Sequence, residues 1–301
     1  MKSTLWSTAL IWLAIAIPLR AQVFEANSEQ KVNGAIGWGD LNAVIHVQKT
    51  TPESQGYTGW TPTVRVFLKH HLVGTIQGAE APFPGALVQI VELDTANPYP
   101  EVLLSSFTGG AHCCNQVTVL TSDASGHSWQ KVELGAFNGS PQPAEDIDFD
   151  NRDEYVTADD RFLYTFASYA GSAAPAQIWQ LQGNQFVDVT HQPQFIYFHR
   201  ERLSGMADWF KQQDPEMEKN GFLAGYVATK ALVGELQEGW QQMLKSYDAQ
   251  SDWGLTTCQA GYDDRGNCKA PEVRYPSYPQ ALRAFLIQTG YLQPEDKLPS
   301  P

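Results

Sequence analysis

The chain is poor in basic residues, and this shortage argues against one large class of partners. Its 301 residues contain 20 lysines and arginines against 33 aspartates and glutamates, giving a formal net charge of −13 at pH 7. A surface this negative repels nucleic acid and anionic lipid, whose phosphates require clustered Lys and Arg. We therefore expect no nucleic-acid binding, and we expect an affinity for cations.

Long apolar runs are also missing after the first 22 residues. The N-terminus carries Lys2, an apolar stretch over 9–17, and then Pro-Leu-Arg-Ala-Gln up to Gln22. This arrangement is typical of a secretory signal cleaved near Ala21. A membrane anchor, the alternative, needs about 20 apolar residues. We predict residues 1–22 as a signal peptide and expect a secreted or periplasmic mature chain that does not span a membrane.

The motifs of several common enzyme classes are absent. The sequence holds no GxSxG, no HExxH, no phosphate-cradling glycine loop and no dinucleotide fingerprint,. Asp159 and Asp160 beside Arg161 would diverge on a strand, which favours an ion pair over the paired carboxylates of a glycosidase. A secreted hydrolase that collects carboxylates from distant segments stays open as an alternative.

Cysteine is scarce, with four in the chain, and four cysteines allow three disulfide connectivities. In an exported protein we favour a bridge between Cys258 and Cys268 across a turn-rich stretch, worth about 2.5–3 kcal/mol of loop-closure entropy. Cys113 and Cys114 are adjacent, so they form either a strained vicinal ring or two buried thiols. The ring would suit a redox sensor. His112 beside Cys113 does not fit a catalytic pair, because neighbours on a strand face apart. A zinc site is disfavoured because no separated CxxC or HxxxH supplies further ligands.

Short apolar or alternating runs broken by Gly, Pro, Asn and Asp fill the region from about residue 32 to 190, a pattern typical of antiparallel strands. Turn signals recur about every ten residues, which suits a sandwich or a partial propeller. We expect roughly a dozen strands. Clear examples are 43–47, 64–68, 86–91, 101–104, 117–120, 162–166 and 177–181.

Helical spacing replaces this pattern after Phe198. An apolar stripe at steps of three and four predicts one packed helix face, and Ser277 with Gln280 predicts a further helix start, ended by Gly290. The fold class is therefore α+β, with a mainly antiparallel β module (propeller-like or sandwich) over 23–195 and a helical C-terminal segment over 196–301. The stripe consists of Leu232, Leu236, Trp240, Met243, Leu244 and Tyr247.

Four carboxylates crowd into nine consecutive positions from Asp146 to Glu154, with Asp148 and Asp150 between them. The carbonyl of Arg152 supplies another oxygen at the seventh position. Oxygen ligands at alternating positions of a turn suit Ca²⁺, which takes six to eight of them, and a cation would relieve the mutual repulsion. The two hypotheses are a Ca²⁺ loop and a solvated acidic turn before a strand.

This run resembles the aspartate-rich loops of FG-GAP or VCBS-type repeats, which occur in integrin-like β-propellers and many secreted proteins. Loops of that family read roughly Asp-x-Asp-Gly-Asp-Gly-x-x-Asp and bind calcium before a strand. In this chain Phe149 and Asn151 stand at the two glycine positions, and Glu154 replaces the last aspartate. Asn tolerates the left-handed backbone that glycine supplies there, whereas Phe adopts it poorly.

A weaker copy of the acidic turn precedes it by 53 residues. The copy keeps Glu92, Asp94, Asn97 and Glu101 but has Ala96 where an acid is expected, and it is one residue longer. The resemblance spans about residues 60–190 and implies a propeller-like β architecture with ligand binding as its usual role. We therefore expect a calcium-stabilised protein that recognises a glycan, a peptide or an envelope component.

Overall fold

The computed structural model describes residues 22–27, 32–50, 59–111, 113–211, 218–258, 260, 263 and 267–299. The predicted signal peptide lies outside this part except for Gln22. The described chain begins with strands and ends with helices, so the predicted α+β class, mainly antiparallel β followed by a helical segment, is confirmed.

Twelve strands form the β part of the described chain, and eleven of them lie in the region 32–190, where roughly a dozen were predicted. Their bounds are β1 (Gln22–Ala26), β2 (Asn33–Trp38), β3 (Leu41–Thr50), β4 (Gly59–Leu68), β5 (His71–Gln77), β6 (Ala86–Val91), β7 (Glu101–Phe107), β8 (Cys113–Ser122), β9 (Trp129–Asn138), β10 (Tyr155–Ala158), β11 (Ala176–Gln182) and β12 (Gln185–Asp188).

The strands form three antiparallel sheets that follow the chain order. A four-stranded sheet runs β2-β3-β4-β5, a five-stranded sheet runs β1-β6-β7-β8-β9, and a three-stranded sheet runs β10-β11-β12. Each sheet is a meander of hairpins between sequence neighbours, apart from β1, which adds to the edge of β6. Successive meanders keep contacts local, as alternating strand patterns separated by turns predict.

The five-stranded sheet is the middle layer of a stack. Alternate residues of a strand point to opposite faces, and on β6 Val88 and Ile90 join the core shared with the four-stranded sheet. Leu87 and Val91 on the same strand face the other way and join Tyr155 in the core shared with the three-stranded sheet. Every residue of β6 is buried, which explains its continuous apolar run.

Four helices complete the described chain: α1 (Ile196–Lys211), α2 (Lys219–Leu232), α3 (Leu236–Ser246) and α4 (Tyr278–Thr289). The predicted apolar stripe crosses from α2 to α3, because Gly234 adopts φ +77° between them. α4 begins after Ser277 and ends at Gly290 in the left-handed conformation, as predicted, but the Ser277 side chain makes no capping hydrogen bond. Among the described residues, none of the helices combines the length and apolar character that a bilayer crossing requires.

The predicted strand at 162–166 is wrong. The segment is a 3-10 turn over Asp160–Phe162 followed by irregular loop, and its rings enter the helical core instead of a sheet. Phe162 and Phe166 each meet Phe285 of α4 edge to face, at centroid distances of 4.8 and 5.4 Å. Aromatic residues at alternate positions favour a strand from local pattern alone, and tertiary packing overrides it here.

The structure pairs all four cysteines. Cys258 and Cys268 lie 5.5 Å apart between Cα atoms and bridge the loop that follows the short hairpin strand β13 (Thr256–Thr257). Its partner strand is β14 (Val273–Arg274). Cys113 and Cys114 pair with each other at the start of β8, and the neighbouring His112 lies outside the described residues.

Candidate metal centre

The acidic loop 146–154 leads from one β-bridge into β10. Glu145 and Glu154 pair through two backbone hydrogen bonds, of 3.0 and 2.8 Å, so the loop closes on itself. Strand β10 begins immediately afterwards at Tyr155. The loop is thus held at both ends by the backbone, and its side chains project from a fixed turn.

Three of the predicted ligands come together in this loop. Carboxylate oxygens of Asp146, Asp148 and Glu154 all lie within 4.8 Å of one another. Glu154 is fully buried, and its oxygens accept hydrogen bonds from the Ile147 amide at 3.2 Å and the Gln180 side chain at 3.0 Å. A carboxylate oxygen carries two lone pairs, so each retains capacity for a cation.

The other two predicted ligands engage each other. Asp150 accepts a hydrogen bond from the Arg152 amide at 2.8 Å, and its second oxygen lies 3.6 Å from the Arg152 guanidinium. The structure therefore leaves Asp150 outside the three-carboxylate group. The Arg152 guanidinium offsets part of the negative charge of the loop,.

The turn takes the conformation that the glycine-bearing loops need. Phe149 and Asn151 have φ values of +64° and +70°, the left-handed region at both positions where the similar repeats carry glycine. Phe149 therefore takes the left-handed backbone that a bulky residue adopts poorly, and the turn forms in spite of it,. The amides of Asp150 and Asn151 donate to the two oxygens of Asp146, at 3.1 and 3.0 Å, and hold the turn.

The electrostatics of the loop favour a positive ion. Burial, followed by the charge of Asp150, raises the pKa of Asp148, and burial raises the pKa of Glu154 to about 7. Such shifts indicate that the carboxylate charges are poorly solvated and mutually repulsive. A hard divalent cation would stabilise the ionised forms, and an all-oxygen donor set of carboxylates is the one that Ca²⁺ takes.

The earlier copy repeats the same arrangement, in which a buried glutamate accepts a hydrogen bond from a backbone amide of its own turn. Val91 pairs with Glu101 across the turn, as Glu145 pairs with Glu154. The Leu93 amide donates to Glu101 at 2.8 Å, as the Ile147 amide does to Glu154. A buried glutamate closes both turns just as a strand begins, which gives the weak sequence repeat a shared physical basis.

In the earlier turn the carboxylates accept hydrogen bonds from other side chains and from a backbone amide. Asn97 and Thr121 donate to one Glu101 oxygen at 2.7 and 2.9 Å, and Asp94 accepts from the Gly183 amide at 2.8 Å. Asp94 thereby ties the middle sheet to the β11–β12 turn. This copy is held by hydrogen bonds, whereas the later copy also brings three carboxylates within 4.8 Å of one another.

Two residues of the site escaped the sequence reasoning. Asp153 links the turns, since its carboxylate accepts from the Glu92 amide at 3.1 Å while its own amide donates to the Glu92 carbonyl at 2.6 Å. Burial raises its pKa to about 6. Gln180 reaches Glu154 from β11. Its role follows from strand pairing over 26 positions, and a single sequence carries no signal for it.

Asp159 forms an ion pair, as the sequence favoured. Its buried carboxylate receives two hydrogen bonds from Arg161, at 2.8 and 2.6 Å. Tyr291, beyond the end of α4, donates its hydroxyl to the same carboxylate at 3.0 Å. The cluster joins the β part to the helical part and is not a pair of carboxylates facing a substrate.

Known proteins resemble both parts of the chain. A family model described as the sll0997 C-terminal domain matches residues 199–290. Over 274 residues the chain is 53% identical to a Synechocystis sp. protein described as probable thylakoid lumen protein sll0997, covering 90% of this chain and 80% of that one. This alignment is longer than the helical part, so the likeness extends over the sheets.

A second relative is matched over a smaller share of its own length. The chain is 37% identical over 211 residues to the uncharacterized protein y4bJ of Sinorhizobium fredii, which covers 70% of this chain and 33% of that one. No solved structure matches the chain.

Proposed function

The chain belongs to the sll0997 family, and on that premise we propose that it is an exported, calcium-stabilised β-repeat protein that binds a ligand in a lumenal or periplasmic compartment. The signal-like N-terminus supports export, and the Synechocystis relative is described as a probable thylakoid lumen protein. Paired cysteines suit the same placement, because disulfides persist in oxidising compartments.

The calcium role depends on one observation, the convergence of Asp146, Asp148 and Glu154 within 4.8 Å. Two further contacts support it, since the left-handed turn at Phe149 and Asn151 is already formed and the backbone bridge at Glu145 closes the loop. Calcium bound there would neutralise the crowded charge and fix the turn that starts β10. Its task would then be structural.

The resemblance to FG-GAP or VCBS-type repeats is part of the proposal. Three consecutive antiparallel meanders stacked face to face suit successive blades of a propeller-like array. A buried glutamate that accepts a backbone amide of its acidic turn recurs in two places, between β6 and β7 and in the loop that leads into β10. In this view each acidic turn fixes the edge of one blade, and the second turn does so with a cation.

Binding is favoured over hydrolysis by the burial of the acids. Glu101 and Glu154, whose pKa values are raised to about 7, have the pKa expected of a general acid, but both are fully buried. A general acid must come within hydrogen-bonding reach of its substrate. These two side chains instead bind neighbouring backbone and amide groups, which is a scaffold role.

Thermal unfolding of the purified mature protein in millimolar Ca²⁺ and in chelator tests the calcium role. A cation that binds the native state alone raises stability by about 2.7 kcal/mol at a hundred times its Kd. We expect a higher Tm in Ca²⁺ for the wild type and no such gain for Asp148→Asn.

Asp123→Asn is the matched control for this experiment. Asp123 lies in another exposed turn, where its carboxylate caps the amides of Ser125 and His127 at 3.1 Å, and it should retain the calcium-dependent gain. Equal Tm values of the wild type with and without Ca²⁺ would refute the calcium role, as would an undiminished gain in Asp148→Asn.

A further inference from the structure

A small cleft separates the 162–166 loop from the disulfide-linked hairpin and α4. Its volume is about 230 Å³, and ten described residues line it, none of them charged. Of its aromatic residues, Tyr164 is exposed, Phe285 is half-buried and Phe166 is buried in the helical core. Neutral hydrogen-bonding groups include the hydroxyls of Thr256 and Thr257 and the amide of Gln288.

Tyr164 at this cleft has an unusual backbone that its surroundings enforce. Its φ is +61°, a conformation that is strained for a bulky residue. The Tyr164 amide donates to the Ser172 hydroxyl at 3.1 Å, and its carbonyl accepts from the Trp253 indole at 2.9 Å. Strain that is held from two sides is typical of binding and active sites, and it leaves the Tyr164 side chain 52% exposed.

The cleft wall is preformed by a close backbone approach. Gly254 has φ +74°, and a Cβ there would lie 2.3 Å from the carbonyl oxygen of Thr165 and 2.5 Å from the ring of Phe166. Only glycine permits this contact. The segment that leads into β13 and the 162–166 loop are therefore packed against each other. A ligand would bind a preformed site and would not have to order these segments on binding.

We propose that this cleft binds one ring of a neutral saccharide, which deepens the proposed binding role and rests on it. The cleft is smaller than the roughly 300–1,000 Å³ of drug-sized ligand sites, which suits one ring unit. The exposed Tyr164 ring offers an aromatic face, which carries partial negative charge and accepts the apolar C–H face of a sugar. Hydroxyl and amide groups both donate and accept, matching sugar hydroxyls.

Charge and polarity distinguish this ligand from other classes. An anionic saccharide would find no cation among the lining residues and would be repelled by the net charge of −13,. A proline or aromatic side chain of a peptide would leave the hydroxyls of Thr256 and Thr257 and the amide of Gln288 without partners, which costs affinity. A neutral, hydroxyl-rich ring satisfies both halves of the cleft.

Calorimetric titration of the mature protein with neutral hexasaccharides of glucose, xylose and N-acetylglucosamine tests the proposal. We expect saturable binding of at least one of them. Tyr164→Gly keeps the left-handed backbone but removes the ring, and Thr257→Val keeps the strand shape but removes the hydroxyl. Each should weaken binding at least about ten-fold, equivalent to 1.4 kcal/mol.

Tyr197→Ala is the matched control, because this tyrosine of α1 is 85% exposed and not part of the cleft lining; it should bind as the wild type does. Absence of heat with every neutral saccharide at millimolar concentration would overturn the proposal. Unchanged binding in both cleft variants would also overturn it, as would tighter binding of hexagalacturonate or a proline-rich peptide that Tyr164→Gly abolishes.

The same titration in chelator separates this proposal from the calcium role. Saccharide binding without any calcium-dependent Tm would defeat the calcium role and leave the cleft intact. A calcium-dependent Tm without saccharide binding would defeat the cleft alone.

Discussion

At the scale of single residues, the chain uses Phe149 where glycine would be easier. Phe149 has φ +64° and is 88% exposed, so its ring gains no core contact in exchange for its backbone strain. The left-handed conformation costs an L-residue about 1–2 kcal/mol. The turn holds because the amides that follow it bind the Asp146 carboxylate on both oxygens.

Phe149→Gly should therefore stabilise the protein. Relief of strain outweighs the extra chain entropy of glycine, about 0.5–1 kcal/mol, for a net gain of roughly 0.5–1 kcal/mol in the free energy of unfolding. Chemical denaturation measures it. Phe149→Ala removes the ring but keeps the Cβ, so it should show no gain, and a glycine variant less stable than the alanine variant would contradict the strain argument.

His199 gives the protein an acid-sensitive residue. Its Nε2–H donates to the Thr190 carbonyl at 2.9 Å, and the buried Nδ1 has no partner among the described residues. Burial, and then the nearby His191, lower the pKa of His199 below its ordinary 6.5. Below pH 6.5 the unfolded chain takes up a proton that the native ring resists, so this contribution to stability is present above pH 6.5 and is lost as the pH falls.

The urea midpoint measured in chelator should consequently fall more between pH 7 and pH 5 for the wild type than for His199→Gln. The glutamine retains a donor for Thr190 but does not titrate. Contributions from Glu101 and Glu154 run the other way over the same range and cancel in the comparison. Parallel pH profiles of the two proteins would contradict the lowered pKa of His199.

At the scale of elements, strands were predictable where the pattern is local. Alternation predicts β3 and β4, and the continuous apolar run predicts β6, because side-chain period and burial are set by the sheet itself. The 162–166 run misleads, since its Phe rings pack against α4, more than 100 positions away. The break between α2 and α3 occurs at Gly234, which has a left-handed backbone. The regular spacing of the apolar stripe across it gave no sign of the break.

The buried glutamates of the two turns, Glu101 and Glu154, have different proposed roles, and substituting each should affect calcium uptake differently. Glu101→Ala leaves four buried donors without their acceptor and should cost on the order of 3 kcal/mol, while calcium uptake stays intact. Glu154→Ala should destabilise the protein and also abolish calcium uptake. Denaturation with calcium titration checks both, and loss of uptake in Glu101→Ala would mean that the first turn shares the ion.

At the scale of the whole molecule, residues of the β part and of the helices share buried clusters. The loop after β10 places Phe162 and Phe166 in the helical core, and Ile147 of the acidic loop packs with Phe195 and Phe198 at the start of the helices. The module boundary near residue 195 marks a change of secondary structure along a continuous interior.

Tyr291→Phe should test this coupling. It removes the hydrogen bond to the buried Asp159, at a cost of roughly 1.5–3 kcal/mol for a bond to a charged group. Strand and helix signals should lose stability together, in a single transition observed by far-ultraviolet and tryptophan spectroscopy. Tyr197→Phe on the exposed face of α1 is the control. Two separate transitions in the wild type would contradict a shared core.

The candidate site was predictable only in part, because some of its contacts join segments that are distant in the sequence. Nine contiguous positions contain Asp146, Asp148 and Glu154, so their convergence follows from one turn. Gln180 and the Glu92–Asp153 link depend on which strands pair and which turns meet. Those contacts join segments 26 and 61 positions apart, and their geometry exists only in the folded chain.

Calcium titration by isothermal calorimetry of chelator-treated mature protein tests the central claim most directly. The account predicts saturable uptake of about one Ca²⁺ per chain, lost in Asp148→Asn and in Glu154→Ala and retained in Asp123→Asn and in Phe149→Gly. No heat of binding at millimolar Ca²⁺, or equal uptake in Asp148→Asn, would contradict it and leave loop 146–154 as an acidic turn held by its own backbone.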